Sequence, residues 1–160
     1  MSATNRGSNR VEQDFYATPI NIVKHFLHNY KLKNGSILEP CAGNGNIVKA
    51  LYEEGYKSNT ITSIDIRDEY DNLRKYSNEV YIDNFLTWKP KITYKTIISN
   101  PPYSIAQEII EKCFEIADEN TEIIMLLRTN FLESKKRYSF WNKHPVSKLY
   151  VLSQRPSFKG

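Results

Sequence analysis

Residues 36–55, SILEPCAGNGNIVKALYEEG, set the fold. Ser36 to Glu39 is a short apolar run between the Asn34-Gly35 turn and Pro40, and reads as a strand. A helix is expected over Ile47 to Glu54, stopping at Gly55. Between them lies Pro40-Cys41-Ala42-Gly43-Asn44-Gly45-Asn46, a loop with two glycines. Glycine lets backbone turn tightly and come close to a ligand. The helix start behind it offers unpaired N–H groups to a carboxylate or phosphate. The loop departs from the dinucleotide GxGxxG pattern, because position 48 is Val, and the chain has no GxxxxGK[ST] segment, which argues against nucleotide hydrolysis. A glycine pair alone also serves as a plain turn, so the chemistry has to come from other segments.

On either side of this stretch, the pattern alternates between helical and strand-like periods. A first helix is expected from Pro19, capped by Thr18, with Ile20, Val23, Leu27 and Tyr30 as its apolar stripe. Thr60–Ile66 and Val80–Phe85 read as the second and third strands, with a short helix between Asp68 and Asn78. Thr96–Ser99 is the fourth strand, ended by two prolines that cannot continue a ladder. Ser104 and Gln107 form a capping-box pattern. The helix behind it should bury Ile105, Ile109, Cys113, Phe114 and Ile116 and present Glu108, Glu111, Lys112 and Glu115 to water. Ile123–Leu127 is an apolar run suited to a strand covered on both faces. Phe131–Trp141 reads as helical and Leu149–Ser153 as a sixth strand. Such alternation predicts an α/β sheet of parallel strands, with ligands bound outside the strands' carboxyl ends.

The chain has 160 residues, 40% hydrophobic and 25% charged, as expected for one globular domain. Residues 1–13 are polar, lack the apolar stretch of a secretory signal, and are expected to form a mobile tail before a domain at 14–160. No apolar run approaches the roughly 20 residues that span a bilayer. Cys41 and Cys113, with His25, His28 and His144, show neither metal-ligand nor triad spacing, so no metal is expected, and the thiols read as reduced ones in a cytoplasm. The net charge of +4 mildly suits an acidic polymer as partner. Its sharpest basic cluster, Lys135-Lys136-Arg137, reads equally well as a solvated helix face.

The unusual polar residues fall in loops after strands. Asp65 ends the second strand, and a carboxylate there can accept from both hydroxyls of a ribose. Asp83 could accept from an adenine amine, and Phe85 could pack on its ring. Together they suggest an adenosine-bearing cofactor. Asn100-Pro101-Pro102-Tyr103 is the most specific segment. Proline keeps its carbonyl acceptor while losing its N–H, so the Asn100 side-chain oxygen and the Pro101 carbonyl can address one planar NH2 group. That nitrogen would then attack an electrophilic methyl in line. Tyr103 offers a face on which a base stacks, worth about 1–3 kcal/mol.

These residues carry a resemblance. From about Asp14 to Gly160 the chain resembles the amino-methylating class I methyltransferases, particularly phage and bacterial DNA N6-adenine methyltransferases. The resemblance implies a Rossmann-like three-layer α/β sandwich with a mostly parallel sheet and S-adenosylmethionine as cofactor. It implies cofactor contacts from Tyr16, Thr18 and Pro19 before the first helix, and from Glu39, Pro40, Cys41, Ala42, Gly43, Gly45 and Asn46 in the glycine loop. Asp65 and Ile66, then Asp83, Asn84 and Phe85, and finally Asn100 complete that set. Asn100, Pro101, Pro102 and Tyr103 would be catalytic, acting on an adenine flipped out of the duplex. Lys135, Lys136 and Arg137 would touch DNA phosphates, with Arg128 and Asn130 lining the base pocket. Two departures stand beside this. About 18 residues separate Tyr103 from the fifth strand, too few for a target-recognition domain. The family's last strand, antiparallel between strands five and six, has no counterpart before Gly160, so strand five should present an open edge to another copy or a second subunit. The motif also serves RNA bases and protein glutamine, and a non-catalytic binding subunit could retain the fold.

Overall fold

The computed structural model describes residues 17–56, 60–153 and 156–157. Tyr16 and the tail before it therefore lie outside the described residues. Helix α1 spans Ile20–Asn29, followed by strand β1 at Ile37–Glu39 and helix α2 at Asn46–Glu53. Strand β2 (Ile61–Asp65), a single helical turn α3 (Tyr70–Leu73) and strand β3 (Glu79–Ile82) follow. Strand β4 is Thr96–Ser99 and helix α4 is Ala106–Ile116. Strand β5 (Glu122–Met125) and helix α5 (Tyr138–Lys143) close the order of elements.

The five strands pair in the order β3-β2-β1-β4-β5, every pair parallel. Successive residues of a strand point to opposite faces, and the core divides accordingly. Ile37, Ile61 and Ile98 pack with Val23 and Leu27 of α1 and with Ile47, Val48 and Leu51 of α2. Their neighbours Leu38, Ile64 and Ile97 face the other way, toward Ile109 and Cys113 of α4 and toward Phe85, Trp88 and Tyr94. The result is the expected α/β three-layer sandwich. An ion pair from Lys24 to Glu53 at 2.6 Å and a hydrogen bond between His28 and Glu54 at 2.7 Å join α1 to the C-terminal end of α2 at the surface.

Several local expectations change. Leu149–Ser153 is irregular rather than a sixth strand, and the described sheet is wholly parallel. Tyr150 instead meets Phe26 and Tyr30 edge-on at 5.4 and 6.0 Å. β5 is an edge strand whose residues are only half-buried, so its apolar run does not mark full burial on both faces. Phe131–Trp141 is not one helix: 3₁₀ turns at Thr129–Leu132 and Lys135–Arg137 precede α5. Ser104 and Gln107 do not form a capping box, because a 3₁₀ turn over Tyr103–Ile105 delays α4 to Ala106 and puts Ile105 at the cap position. That shift turns Ala106 and Ile110 inward and leaves Ile105 and Phe114 exposed, with Phe114 stacked on His144 at 4.0 Å. Thr18 does not cap α1 either. Pro19 occupies the cap position in extended backbone.

Candidate active site

The sheet order reverses between β1 and β4, since β2 and β3 lie on one side of β1 and β4 and β5 on the other. In an open α/β sheet, the loops leaving two such strands part and open a crevice. Here they are the glycine loop and Asn100–Tyr103.

The glycine loop is held from three directions. Gly43 and Gly45 have φ of 55° and 89°, left-handed backbone that other residues adopt only with strain. The Gly43 N–H donates to Asp65 at 2.7 Å, the Ala42 N–H to the Ile64 carbonyl at 2.8 Å, and the Gly45 N–H to the Ala42 carbonyl at 2.9 Å. Asn46 opens α2 and sends its side-chain amide to the Thr18 carbonyl at 2.8 Å. Ahead of the turn, Glu39 is buried at 1% exposure, Pro40 is buried, and Cys41 is half-buried. Glu39 accepts from the Cys41 N–H at 2.9 Å and from the Ser99 hydroxyl of β4. Burial lifts the Glu39 carboxyl to a pKa of about 8, outweighing those two hydrogen bonds. Burial, reinforced by Glu39, also pushes the Cys41 thiol up, which argues against a reactive thiolate.

Asp65 is buried. Besides Gly43 it accepts from the backbone N–H and the Nε of Arg67, at 2.9 and 3.2 Å. Next to it, Ile66 leaves 71% of its surface in water, an apolar residue unburied beside a carboxylate. The Asp83 N–H donates to the Asp65 carbonyl at 3.0 Å, which brings the end of β3 alongside. The Asp83 and Asn84 side chains are exposed and accept from the N–H groups of Asn84 and Leu86 respectively. Phe85 corrects one expectation. Its ring is 3% exposed inside the core beside Trp88, so it supports the loop rather than offering an open face.

Beyond β4, Pro101 is buried and Asn100 and Tyr103 are half-buried. The Asn100 side-chain NH2 donates to the Thr18 hydroxyl at 3.1 Å. Asn100 and Asn46 therefore grip one residue from two loops. Sequence spacing does not reveal this, because the partners lie 82 and 28 positions from Thr18. Tyr103 meets Phe131 edge-on at 6.1 Å. Phe131, expected on a helix, is a 1%-exposed anchor beneath the tyrosine. The guanidinium carbons of Arg128 and Arg137 lie 5.2 and 5.7 Å from the Tyr103 ring centre, and that of Arg137 lies 4.2 Å from the Phe131 ring centre. The basic cluster is thus split: Lys135 and Lys136 are exposed, whereas Arg137 packs over the aromatics, and Arg128 joins it. Asn130 is exposed. Among the described residues no group of His, Cys, Asp and Glu suits a metal, and no helix is long and apolar enough to cross a membrane.

Sheet order, glycine turn and the layered core are those of a Rossmann-like α/β fold, one shared by solved methyltransferases. The solved 23S rRNA methyltransferase ErmE superposes with a TM-score of 0.58 over 73% of this chain and 49% of its own, at 20% identity. In sequence the chain is similar to type II methyltransferases. It is 36% identical over 97 residues to M.HincII of Haemophilus influenzae and 28% identical over 122 residues to M.CvrRI of Paramecium bursaria Chlorella virus XZ-6E. These stretches cover 60% and 62% of this chain, but only 18% and 32% of the curated relatives. No family model matches the chain.

Proposed function

We propose that the protein transfers a methyl group from S-adenosylmethionine to the N6 amine of adenine in DNA. The observation that carries this reading is the double grip on Thr18, which joins the Asn100 amide to the first residue of α2 behind the glycine turn. The similarity to type II methyltransferases supports DNA as the substrate class.

The residues present suit the cofactor. The left-handed glycines carry no side chain across the approach to the turn. Asp65 offers carboxylate acceptors to a ribose, exposed Ile66 an apolar surface to a purine, and Asp83 an acceptor to its amine. Thr18, Pro19, Pro40, Cys41, Ala42, Asn46 and Asn84 complete the walls, with Glu39 as the buried brace. S-Adenosylmethionine supplies an electrophilic methyl group on a sulfonium centre.

The protein's part is to hold the acceptor. The Asn100 side-chain oxygen and the Pro101 carbonyl take the two amine hydrogens and favour a pyramidal nitrogen with an available lone pair. Tyr103 carries the flipped base, Phe131 backs the tyrosine, and Arg128 and Arg137 border it. Lys135, Lys136 and Arg137 meet phosphates, and Asn130 stands at the pocket rim. After transfer the nitrogen is positively charged and loses one proton to water.

The test incubates the protein with methyl-labelled S-adenosylmethionine and adenine-containing DNA of varied sequence, then separates the nucleosides. Label in N6-methyladenine is the expected result. Folded protein that leaves every DNA unlabelled overturns the reading.

A further inference from the structure

We propose that the hollow beside Tyr138 is a second nucleotide site, which stacks an unpaired base near the target adenine on the same strand and meets its phosphate at Lys135. This rests on the DNA-methylation reading above and deepens it.

The hollow has a volume of about 420 Å3 and is lined by Leu132, Ser134, Lys135, Tyr138 and Trp141. Small-molecule sites span about 300–1,000 Å3. The segment does not need the whole lining in order to fold. Phe131 and Phe140 are its buried anchors, whereas Tyr138 keeps 70% of its surface in water and Leu132 is exposed beside it. Trp141 is a fixed floor. Its indole N–H donates to the Phe131 carbonyl at 3.1 Å, and its ring meets Phe131 and Phe140 edge-on at 5.8 and 4.8 Å. Ser134 has φ of 106° and ψ of 137°, and among the described residues no other non-glycine residue has a positive φ. Backbone of this kind is nearly glycine's alone, and strain of this sort gathers at binding and catalytic sites.

An exposed aromatic ring among cations is the combination that holds a single strand, with bases on the ring and phosphates on the charges. Residues 128–143 supply five cations, Arg128, Lys135, Lys136, Arg137 and Lys143, against one acid, Glu133. That balance suits a polyanion, and a second copy of this chain, at +4, would meet like charge. The hollow is also continuous with the proposed base platform. Ring-to-ring steps of 6.1 Å from Tyr103 to Phe131 and 5.8 Å from Phe131 to Trp141 link the two. A stacked strand rises about 3.4 Å per nucleotide, so the occupant lies within a few nucleotides of the target. A paired base keeps its faces inside the duplex, so Tyr138 favours a strand that is open beside the adenine.

The experiment measures binding of a fluorescein-labelled thymidine hexamer by anisotropy, at fixed salt, to wild type, Tyr138→Phe and Tyr138→Ala. Two further ligands are a hexamer of abasic deoxyribose phosphates, equal in charge but without bases, and a blunt DNA duplex. Tyr138→Ala loses about tenfold in affinity for the thymidine hexamer, the effect of one stacked base, and Tyr138→Phe binds it as wild type does. On the abasic hexamer and the blunt duplex, Tyr138→Ala and wild type bind alike. No loss on the thymidine hexamer, an equal loss on all three ligands, or failure of wild type to bind the thymidine hexamer each overturns the proposal. None of these readouts needs turnover. A protein that methylates DNA without showing the selective loss sinks this inference alone, and one that shows the loss without methylating sinks only the function proposed above.

Discussion

The Ser99 hydroxyl donates to a carboxyl oxygen of buried Glu39, joining the neighbouring carboxyl ends of β4 and β1. A shift on either strand is therefore felt by both loops of the crevice. The same carboxyl has a pKa raised to about 8, chiefly by burial. The folded protein then binds this proton more tightly than the unfolded chain does, so the group's contribution to stability falls as pH rises from the ordinary carboxylate range through about 8, and levels off above it. Each pKa unit of difference is worth about 1.4 kcal/mol. Glu39→Gln keeps an oxygen acceptor and removes the titration. Urea unfolding is expected to find the variant more stable than wild type at pH 8.5, with the gap closing toward pH 5. A gap independent of pH would refute this.

Tyr103→Ala removes the proposed stacking face while leaving the glycine loop untouched. Methylation of adenine is expected to fall by about 10- to 100-fold, in line with the 1–3 kcal/mol of one stacked base. Affinity for S-adenosylhomocysteine, measured by calorimetry, should hardly move. Tyr103→Phe should retain most of the activity.

Asp65→Ala has two consequences, because one carboxylate both receives the Gly43 N–H and faces the proposed ribose. An unmet buried N–H costs about 1–3 kcal/mol, so the unfolding midpoint should drop. Cofactor affinity should drop as well, and calorimetry with S-adenosylhomocysteine separates the two effects. Binding at wild-type strength would remove Asp65 from the cofactor site.

Gly45 sits at φ 89°, and an added Cβ would come within 3.2 Å of a Leu73 methyl. Gly45→Ala is expected to destabilise the protein by about 1–2 kcal/mol from backbone handedness alone. The crowding against Leu73 adds to this. Thermal unfolding checks the size of the loss.

Neutralising Lys135, Lys136 and Arg137 together should flatten the dependence of DNA binding on salt, by about 0.9 in the log–log slope for each phosphate that is no longer paired with a cation. Because Arg137 also lies over Tyr103 and Phe131, Arg137→Ala alone should alter base stacking as well, read as 2-aminopurine fluorescence at the target position. An unchanged slope would return the two lysines to a solvated surface.

Legibility in the sequence follows the range of the forces involved. Thr96–Ser99 is recoverable to the residue because an apolar run meets two prolines that end it. The glycine turn and the helix behind it are equally local. Spacing marks Thr18 as a cap because it reports neighbours along the chain, whereas the true partners Asn46 and Asn100 arrive through the fold. Ser104 and Gln107 have the right letters for a cap, but a 3₁₀ turn takes up the first residues. Leu149–Ser153 has strand-like composition, yet a strand needs a partner, and among the described residues none pairs with it. The burial of Phe85 and Phe131 depends on which loops fold back over them, and no hydrophobic period along the chain encodes that.

Because all five strands run the same way, the two rims of the sheet are unlike. One gathers the glycine loop and the Asn100–Tyr103 loop. The other holds the returns into each strand, such as the exposed Asp118-Glu119-Asn120 bend leading into β5. A peptide tag, a fluorophore or a tethered domain spliced into that bend would stand at the far end of the molecule from the slit, which makes it the natural handle for immobilising or fusing the protein.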